Sequence, residues 1–335
     1  MVMATIKDVA RLSQTSVGTV SRYLNGHHVK SANRARIEDA IRELDFSINP
    51  LARGLRTNKT KTVGVLIPEL ANNFSIQVME GMEQTLDEHG YSLIICDSRN
   101  NIDTEREKLK LMRDKLVDGI ILMPVRDEGD HIRDLLDNGL PVVLVDRLIT
   151  NLSCDGVVSD SVNGAYRAVA TIINRGHKRI GIIAGPQNVY TARERLEGYL
   201  RALKDYNIQV DESLVYKGDY TLAAGSGGME YLLGLEDPPS AVFVSNYHLT
   251  LGALKAITGR GMTLGADISF FGYDQLECSE LIKPPVSVVV QAVEALGRQA
   301  AELLVRRMKG DLSGFPVVHR LKTEIVVTDS VKKLI

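Results

Sequence analysis

From residue 63 onward, short and almost uninterrupted apolar runs alternate with longer amphipathic stretches. The runs are VGVLI (63–67), YSLIICD (91–97), DGIILMPV (118–125) and PVVLVDR (141–147), then RIGIIAG (179–185), SLVYKGD (213–219), SAVFVSN (240–246) and ISFFGYD (268–274). Helical periodicity fills the intervals at 74–89, 103–116, 162–175, 190–206, 248–260 and 292–309. A strand with one wet face alternates apolar and polar residues. A run that is apolar at nearly every position is covered on both faces, as parallel strands between helices are. Two such sets, on either side of about residue 160, predict two similar α/β lobes built on parallel sheets. Ligands of open α/β sheets bind beyond the carboxyl ends of the strands. Polar residues stand at those ends: Asp146 and Arg147, Tyr220, Asn246 and Asp274, with Gln291 after SVVV at an expected crossing between lobes.

The 335 residues are enough for two or three domains. No apolar run approaches the ~18 residues needed to span a bilayer. The first residues carry no apolar core followed by a cleavage-like site, so no secretion signal is expected. Cys96, Cys154 and Cys278 are scattered, odd in number and outside any CxxC, a pattern that suits a reducing cytoplasm and buried small hydrophobes. The formal net charge of −2 hides an asymmetry. Residues 1–62 hold 11 Lys/Arg against 5 Asp/Glu, and the remainder holds 29 against 37. A basic head on an acidic body suits a polyanion partner for the head alone, although charge by itself is equally compatible with chance clustering.

The head is periodic. Ile6, Val9 and Ala10 recur at helical spacing behind Thr5, which is placed to cap. After SQTS, the run SVGTVSRYLN (16–25) predicts a second helix capped by Ser16. Val20, Tyr23 and Leu24 fall on one side of it, while Val17, Gly18, Ser21, Arg22 and Asn25 fall on the other. A third helix, expected to be capped by Ser31, carries Ile37, Ala40, Ile41 and Leu44 as its apolar stripe. Three short helices with a tight first turn make a helix-turn-helix unit. The outer face of the second helix suits the DNA major groove. There Ser21 and Asn25 can bond phosphates or base edges, Arg22 can reach guanine or a phosphate, and Val17 can pack on a thymine methyl. The alternative is a small bundle with a solvated face. Gly18 costs about 1 kcal/mol of helix propensity against Ala, and close backbone approach to a duplex would offset it.

SINPLARGLRTNKTK (47–61) follows. Asn49 can cap a very short helix with Pro50 at its first position, and Leu51, Ala52 and Leu55 share one side among Arg53, Arg56, Lys59 and Lys61. So short a helix is not stable alone in water. A leucine flanked by arginines fits a minor-groove wedge.

Together, TIKDVARLS (5–13), TSVGTVSRYLNG (15–26) and RARIEDAIRELDFSINPLARGLRTNKTKTVGV (34–65) resemble the lactose-repressor (LacI/GalR) family of bacterial transcription regulators, and the likeness runs over nearly the whole chain. The resemblance implies base readout by residues 17, 18 and 22 and a wedge at Leu55. The expected DNA-contacting set is Thr5, Ser16, Val17, Gly18, Ser21, Arg22, Asn25, His27, Asn49, Ala52, Arg53 and Leu55. The family usually has Gly where Gln14 stands and a side chain where Gly18 stands, so position 18 offers nothing for side-chain readout. In the body, RERLEG (193–198), SN (245–246), GYD (272–274) and PPVSVVVQ (284–291) match family motifs. The resemblance implies a body like the periplasmic sugar-binding proteins, with Asn73, Phe74, Asp146, Arg195, Tyr220, Asn246, Asp274 and Gln291 around an effector, most naturally a sugar. Four of these have a plainer alternative: Asn246 and Asp274 can cap the next helix or turn, Tyr220 can be simply half-buried, and Asp146 with Arg147 can be a structural ion pair. Tyr247 and His248 stand where the family usually has Asp, and ANNF (71–74) lacks the usual proline.

The expected organisation is a three-helix helix-turn-helix domain at 1–46, a hinge helix and linker at 47–61, and a two-lobed effector-binding and dimerisation body at 62–335. The first lobe takes about 62–160 and 292–320, and the second about 161–291 and 321–335. The partners implied are near-palindromic double-stranded operator DNA, a small carbohydrate-like effector and a second copy of the chain. No heptad helix follows TEIVVTDS, which favours a homodimer over a tetramer. No metal, cofactor or membrane is called for: no two His have metal-ligand spacing, GSGG (225–228) lacks the phosphate-loop lysine, and His89 and His177 read as helix-end residues. A secreted sugar receptor or a sugar-active enzyme is the rival reading, and it would need an export signal, a nucleophile, a metal or a phosphate loop.

Overall fold

A computed structural model describes residues 4–46, 59–277 and 279–334 of the chain. Two compact units are found, Met1–Thr60 and Lys61–Ile335.

The first unit contains α1 (Ile6–Leu12), α2 (Val17–Leu24) and α3 (Ser31–Glu43). Thr5 and Asp8 cap α1 reciprocally: the Asp8 N–H donates to Thr5 Oγ1, and the Thr5 N–H donates to Asp8 Oδ2 at 3.0 Å. Ser16 Oγ accepts from the Thr19 N–H at 3.1 Å and starts α2. Val9, Ala10, Val20, Ile37 and Ala40 form the core, with Tyr23, Leu24 and Ile41 packed around it. The Tyr23 hydroxyl donates to Glu38 at 2.9 Å and ties α2 to α3. Ser31 does not cap α3. The Asn33 and Arg34 N–H groups close the first turn on the Lys30 carbonyl, so Ser31 is the first helical residue and Lys30 takes the cap position without a side-chain bond. Gln14, in the α1–α2 turn, has φ +52°. A non-glycine residue held there costs roughly 1–2 kcal/mol, and a glycine would not.

The second unit holds two six-stranded sheets. One is built from β1 (Thr62–Ile67), β2 (Ser92–Asp97), β3 (Gly119–Leu122), β4 (Val142–Val145), β5 (Asp155–Ser159) and β11 (Val318–Leu321), in the order β11-β5-β4-β3-β1-β2. The other is built from β6 (Ile180–Ala184), β7 (Val215–Lys217), β8 (Ala241–Val244), β9 (Ser269–Tyr273), β10 (Ser287–Val290) and β12 (Glu324–Val326), in the order β12-β10-β9-β8-β6-β7. The second repeats the first strand for strand. All neighbours are parallel except β10 and β12, which are antiparallel.

Helices α4 (Asn73–Glu88), α5 (Ile102–Asp114), α6 (Arg133–Asp137) and α11 (Val293–Met308) accompany the first sheet. Helices α7 (Ser161–Asn174), α8 (Tyr190–Asp205), α9 (Leu222–Leu233) and α10 (Tyr247–Gly259) accompany the second. The chain passes between lobes three times, between β5 and α7, between β10 and α11, and between β11 and β12, each over only a few residues. Val63, Val65, Ile121 and Val143 pack under α4 and α11, while Phe243, Phe271 and Tyr273 pack under α7 and α8. A buried bidentate ion pair joins Arg307 of α11 to Asp155 of β5 at 2.7 and 3.0 Å, and Asp155 also accepts from the Val317 N–H at 2.8 Å.

Several elements escape the sequence pattern. DGVVS and VHRL, which become β5 and β11, are short and flanked or interrupted by polar residues. GSGG, a glycine cluster outside the periodic stretches of the sequence, lies inside α9. A Cβ on Gly225 would overlap the Leu249 backbone, and one on Gly252 would overlap the Leu222 carbonyl oxygen. The glycines therefore let α9 and α10 approach backbone to backbone. His177 follows the end of α7 and is buried, with Nδ1 2.9 Å from Ser240 Oγ and Nε2 3.0 Å from the Lys332 carbonyl. Burial lowers its pKa, against the opposing bond to Lys332. Cys154 is buried and Cys96 half-buried, while Cys278 lies outside the described residues. No helix among the described residues is long and apolar enough to cross a membrane, and none of their His, Cys, Asp and Glu side chains cluster in threes able to hold a metal ion.

The close α9–α10 crossing sets an expectation. Gly252→Ala should destabilise the body by about 2 kcal/mol through forced overlap, while Gly259→Ala, which faces open space, should be neutral or stabilising. Urea unfolding of both variants measures the difference.

Candidate functional site

Parallel strands end on the same side, and in each lobe those ends face a common cleft. A cavity there is lined by Phe74, Asp146, Arg195, Tyr220, Asn246, Asp274 and Gln291, seven of the eight effector-contact residues expected from the sequence. Asn73, the eighth, lines an adjoining cavity with Phe74, Asp274 and Gln291, and its amide donates to Glu277 of the other lobe.

Asp146 and Asp274 occupy matching positions. Asp146 follows β4 and Asp274 follows β9, the third strand of its sheet in the same order. Both lie in the left-handed region, at φ +65° and +73°. Each donates its N–H to the neighbouring strand, Asp146 to the Val157 carbonyl at 3.0 Å and Asp274 to that of Val289 at 2.9 Å. Non-glycine residues in this conformation are uncommon and concentrate where the surroundings over-determine them, often at binding sites.

The two carboxylates differ in what they hold. Asp274 Oδ1 accepts from Gln291 Nε2 at 2.6 Å, and its Oδ2 accepts from the Tyr247 N–H at 3.2 Å, at the start of α10. Asn246 also caps α10, accepting from the Leu249 N–H at 3.1 Å. The capping alternatives for these two residues are therefore realised in the same side chains that line the cavity. Asp146 sits 3.5 Å from Arg147 Nε through Oδ2, while its Oδ1 is buried without a partner. Because Gln291 turns its nitrogen toward Asp274, its Oε1 is the atom left unmet.

Arg195 is 4% exposed, donates from Nη1 to the Ser245 carbonyl at 2.7 Å and lies 3.8 Å over the Tyr273 ring. Burial works against its charge, but Tyr273, Tyr220, Asp274 and Asp146 outweigh burial and raise its pKa above the ordinary arginine value. Burial pushes the Tyr273 hydroxyl up to about 12, although Arg195 opposes the shift. Burial also raises Tyr220 and Asp146; for Asp146 it prevails over the pull of Arg147 and Arg195. The Tyr220 ring lies where a Cβ on Gly185 would go, which explains a glycine at the end of β6.

Arg147, Thr191, Ser75, Met123 and His248 line the same cavity and were not among the expected contacts. Arg147 had a signal in its place directly after Asp146. Thr191 had one four residues before Arg195, on the same helical face. His248 had none, since nothing in its spacing separates it from the rest of α10. Among the described residues, two ion pairs bridge the lobes beyond the cavity: Arg193 with Asp127 at 2.7 Å, and Arg320 with Glu194 at 2.8 Å.

In the head, Val17, Gly18, Arg22, Asn25 and His27 are exposed, Ser21 is half-buried, and Thr5 and Ser16 stand at the two helix starts. Among them Asn25 is partly committed, since its amide donates to the Ser21 carbonyl at 2.7 Å. A Cβ on Gly18 would meet nothing closer than Ser16 Oγ at 3.8 Å, so packing within the head does not require glycine there. Asn49, Ala52, Arg53 and Leu55 lie outside the described residues.

The family model described as periplasmic binding proteins and sugar binding domain of LacI family matches residues 60–318, and the one described as bacterial regulatory proteins, lacI family, matches residues 5–49. The chain is 32% identical over 335 residues to the HTH-type transcriptional repressor PurR of Aliivibrio salmonicida (strain LFI1238), covering 99% of this chain and 100% of that one. It is 34% identical over 312 residues to the HTH-type transcriptional repressor CytR of Escherichia coli (strain K12), covering 93% of this chain and 92% of that one. Among solved structures it is similar to a transcriptional regulator CelR–cellobiose complex, at 32% identity and a TM-score of 0.74, over 98% of this chain and 99% of that one.

The raised Asp146 pKa fixes the sign of a pH effect. Its contribution to stability is complete below the unfolded value near 3.8 and is lost as pH rises through the higher folded value. In ligand-free protein, Asp146→Asn should therefore be more stable than the parent at pH 7, with the gap closing as pH falls toward 4. Denaturant unfolding at several pH values tests this.

Proposed function

The chain belongs to the LacI family of bacterial regulatory proteins, and from that membership we propose a transcriptional repressor whose hold on operator DNA is set by a small molecule between the two lobes. The observation that carries the reading is the union, in one chain, of a basic helix-turn-helix head and a cleft whose buried polar atoms lack partners. A buried polar atom left unmet costs about 1–3 kcal/mol, which an incoming ligand recovers. The protein acts by binding DNA rather than as an enzyme, and in the cytoplasm, where its operator is.

In this reading α2 lies in the major groove, Arg22 reads a base, Val17 packs on a thymine methyl, and Ser21, Asn25, Ser16, Thr5 and His27 hold phosphates or base edges. A homodimer presents two heads to the halves of a near-palindrome, as two-fold symmetry requires. Residues 47–61 form the hinge, with Leu55 as a minor-groove wedge beside Asn49, Ala52 and Arg53. Asp146, Arg195, Tyr220, Asn246, Asp274 and Gln291 hold the effector, with Asn73 and Phe74 at one side. A carbohydrate suits them, because carboxylates, amides and a guanidinium pair with ring hydroxyls. The CelR structure that the chain resembles holds a disaccharide. Effector and operator are coupled reciprocally: each changes the affinity for the other by the same factor.

Anisotropy titrations with duplexes from the promoter neighbourhood of its own gene test the reading, and no binding with or without ligands would sink it. Arg22→Ala should weaken specific binding about 10-fold or more while leaving random DNA unaffected; equal losses on both would make Arg22 a phosphate contact. Gly18→Ala should raise head stability by about 1 kcal/mol yet weaken operator binding. Unchanged affinity would mean that the duplex does not approach the α2 backbone at that point.

A further inference from the structure

We infer that Lys61, the first residue of the body, is a positioning residue for DNA binding. The first lobe holds its backbone in one direction, and operator affinity depends on that hold rather than on the lysine charge. This rests on the repressor reading above and names the point at which the position of the body is passed along the chain.

Lys61 stands one residue before β1 and lies in the left-handed region, at φ +57°. A lysine there carries backbone strain that a glycine would not, and such strain persists only where the surroundings enforce it. Here they enforce it from both sides, because β1 lies between β3 and β2 in its sheet. From the β3 side, the Lys61 N–H donates to Asp118 Oδ2 at 3.0 Å, and the Asp118 N–H donates to the Thr62 carbonyl at 2.8 Å. From the β2 side, the Ser92 N–H donates to the Lys61 carbonyl at 2.9 Å. The Lys61 ammonium lies 4.2 Å from the centroid of the Tyr91 ring, and Tyr91 is buried in the core of the same lobe. The sequence sets Lys61 among basic residues suited to a polyanion, yet its charge rests on an aromatic face.

The three strands that meet at Lys61 also reach the cleft. Pro68 and Glu69 follow β1, Asn100 follows β2 and Met123 follows β3, and all four line the cavity. β1 has six residues and so spans roughly 20 Å. It is paired with both neighbours through residues 63–66. Strands paired along both edges shift together, and packed rigid elements of this kind carry coupling between distant sites. A displacement of the lobe imposed at the cavity therefore arrives at Lys61. With its N–H and its carbonyl both held, Lys61 does not absorb the displacement by turning, and the residues before it receive it. A glycine at 61, or a lysine without Asp118 beside it, would absorb it.

The test uses the full chain, with anisotropy titrations on a duplex from its own promoter neighbourhood and on a random duplex, beside urea unfolding. Asp118→Ala and Asp118→Asn remove the same negative charge, which by itself would favour DNA, but only asparagine keeps an oxygen able to accept from the Lys61 N–H. Asp118→Ala should weaken the promoter duplex about 10-fold or more without weakening the random duplex, while Asp118→Asn stays within about threefold of the parent. Lys61→Gly and Lys61→Asn form a second pair. Both remove the ammonium and both adopt the left-handed backbone, but glycine is the freer of the two. Glycine should bind the promoter duplex more weakly than asparagine, by about threefold or more, with no loss in its urea midpoint. If Asp118→Ala does not unfold cooperatively, the lysine pair decides. Equal affinities within each pair overturn the inference, and an equal loss in both lysine variants makes Lys61 an ordinary DNA-contacting cation. A parent that binds no promoter duplex overturns the repressor reading itself, whereas a parent that binds and is matched by its variants overturns only the role of Lys61.

Discussion

A parallel sheet cannot be closed by hairpins. Each strand must be followed by a helix that returns the chain to the starting edge, so every strand delivers its carboxyl end to the same side. Here that happens twice, in two sheets of matching order. Asp146, Asn246, Asp274 and Gln291 face one cavity because β4, β8, β9 and β10 all stop there. Their chemistry is local, but their convergence follows from strand direction.

Duplication alone would give two equal halves, and the cleft departs from that equality. Asp274 is satisfied by its own lobe through Gln291 and the start of α10, whereas its counterpart Asp146 keeps one oxygen unmatched and its charge raised in energy by burial. Both lobes keep buried polar atoms without partners in the cleft, Asp146 Oδ1 in the first and Gln291 Oε1 and Arg195 Nε in the second, and of the two aspartates only Asp146 is left incomplete.

Much of this was legible in the residues. The sheets declared themselves through runs apolar at almost every position, and the cleft residues through polar letters placed directly after those runs. What stayed hidden has physical reasons. β11 is an exposed edge strand whose HR pair has no need to be apolar. α9 is a helix whose glycines contradict helix propensity, and the structure explains them from outside it: Gly225 admits the backbone of α10 and Gly228 admits the Tyr216 ring. His248 reaches the cavity through the direction of α10, a tertiary fact without a periodic trace. The bond partners that separate Asp146 from Asp274 are set by neighbours 17 and 27 residues along the chain from Asp274, a distance over which no spacing rule applies. Ser31 misled because a serine before a helical pattern is a good cap only if the first turn does not already close on the carbonyl before it.

The three passages between lobes are each only a few residues long. Connections so short resist stretching and shear far more than bending. The motion such connections oppose least is a folding of one half toward the other, like the covers of a book. Whatever fills the gutter can alter how far the covers stand apart, and anything fastened to the outer boards receives the message as a change in a single angle.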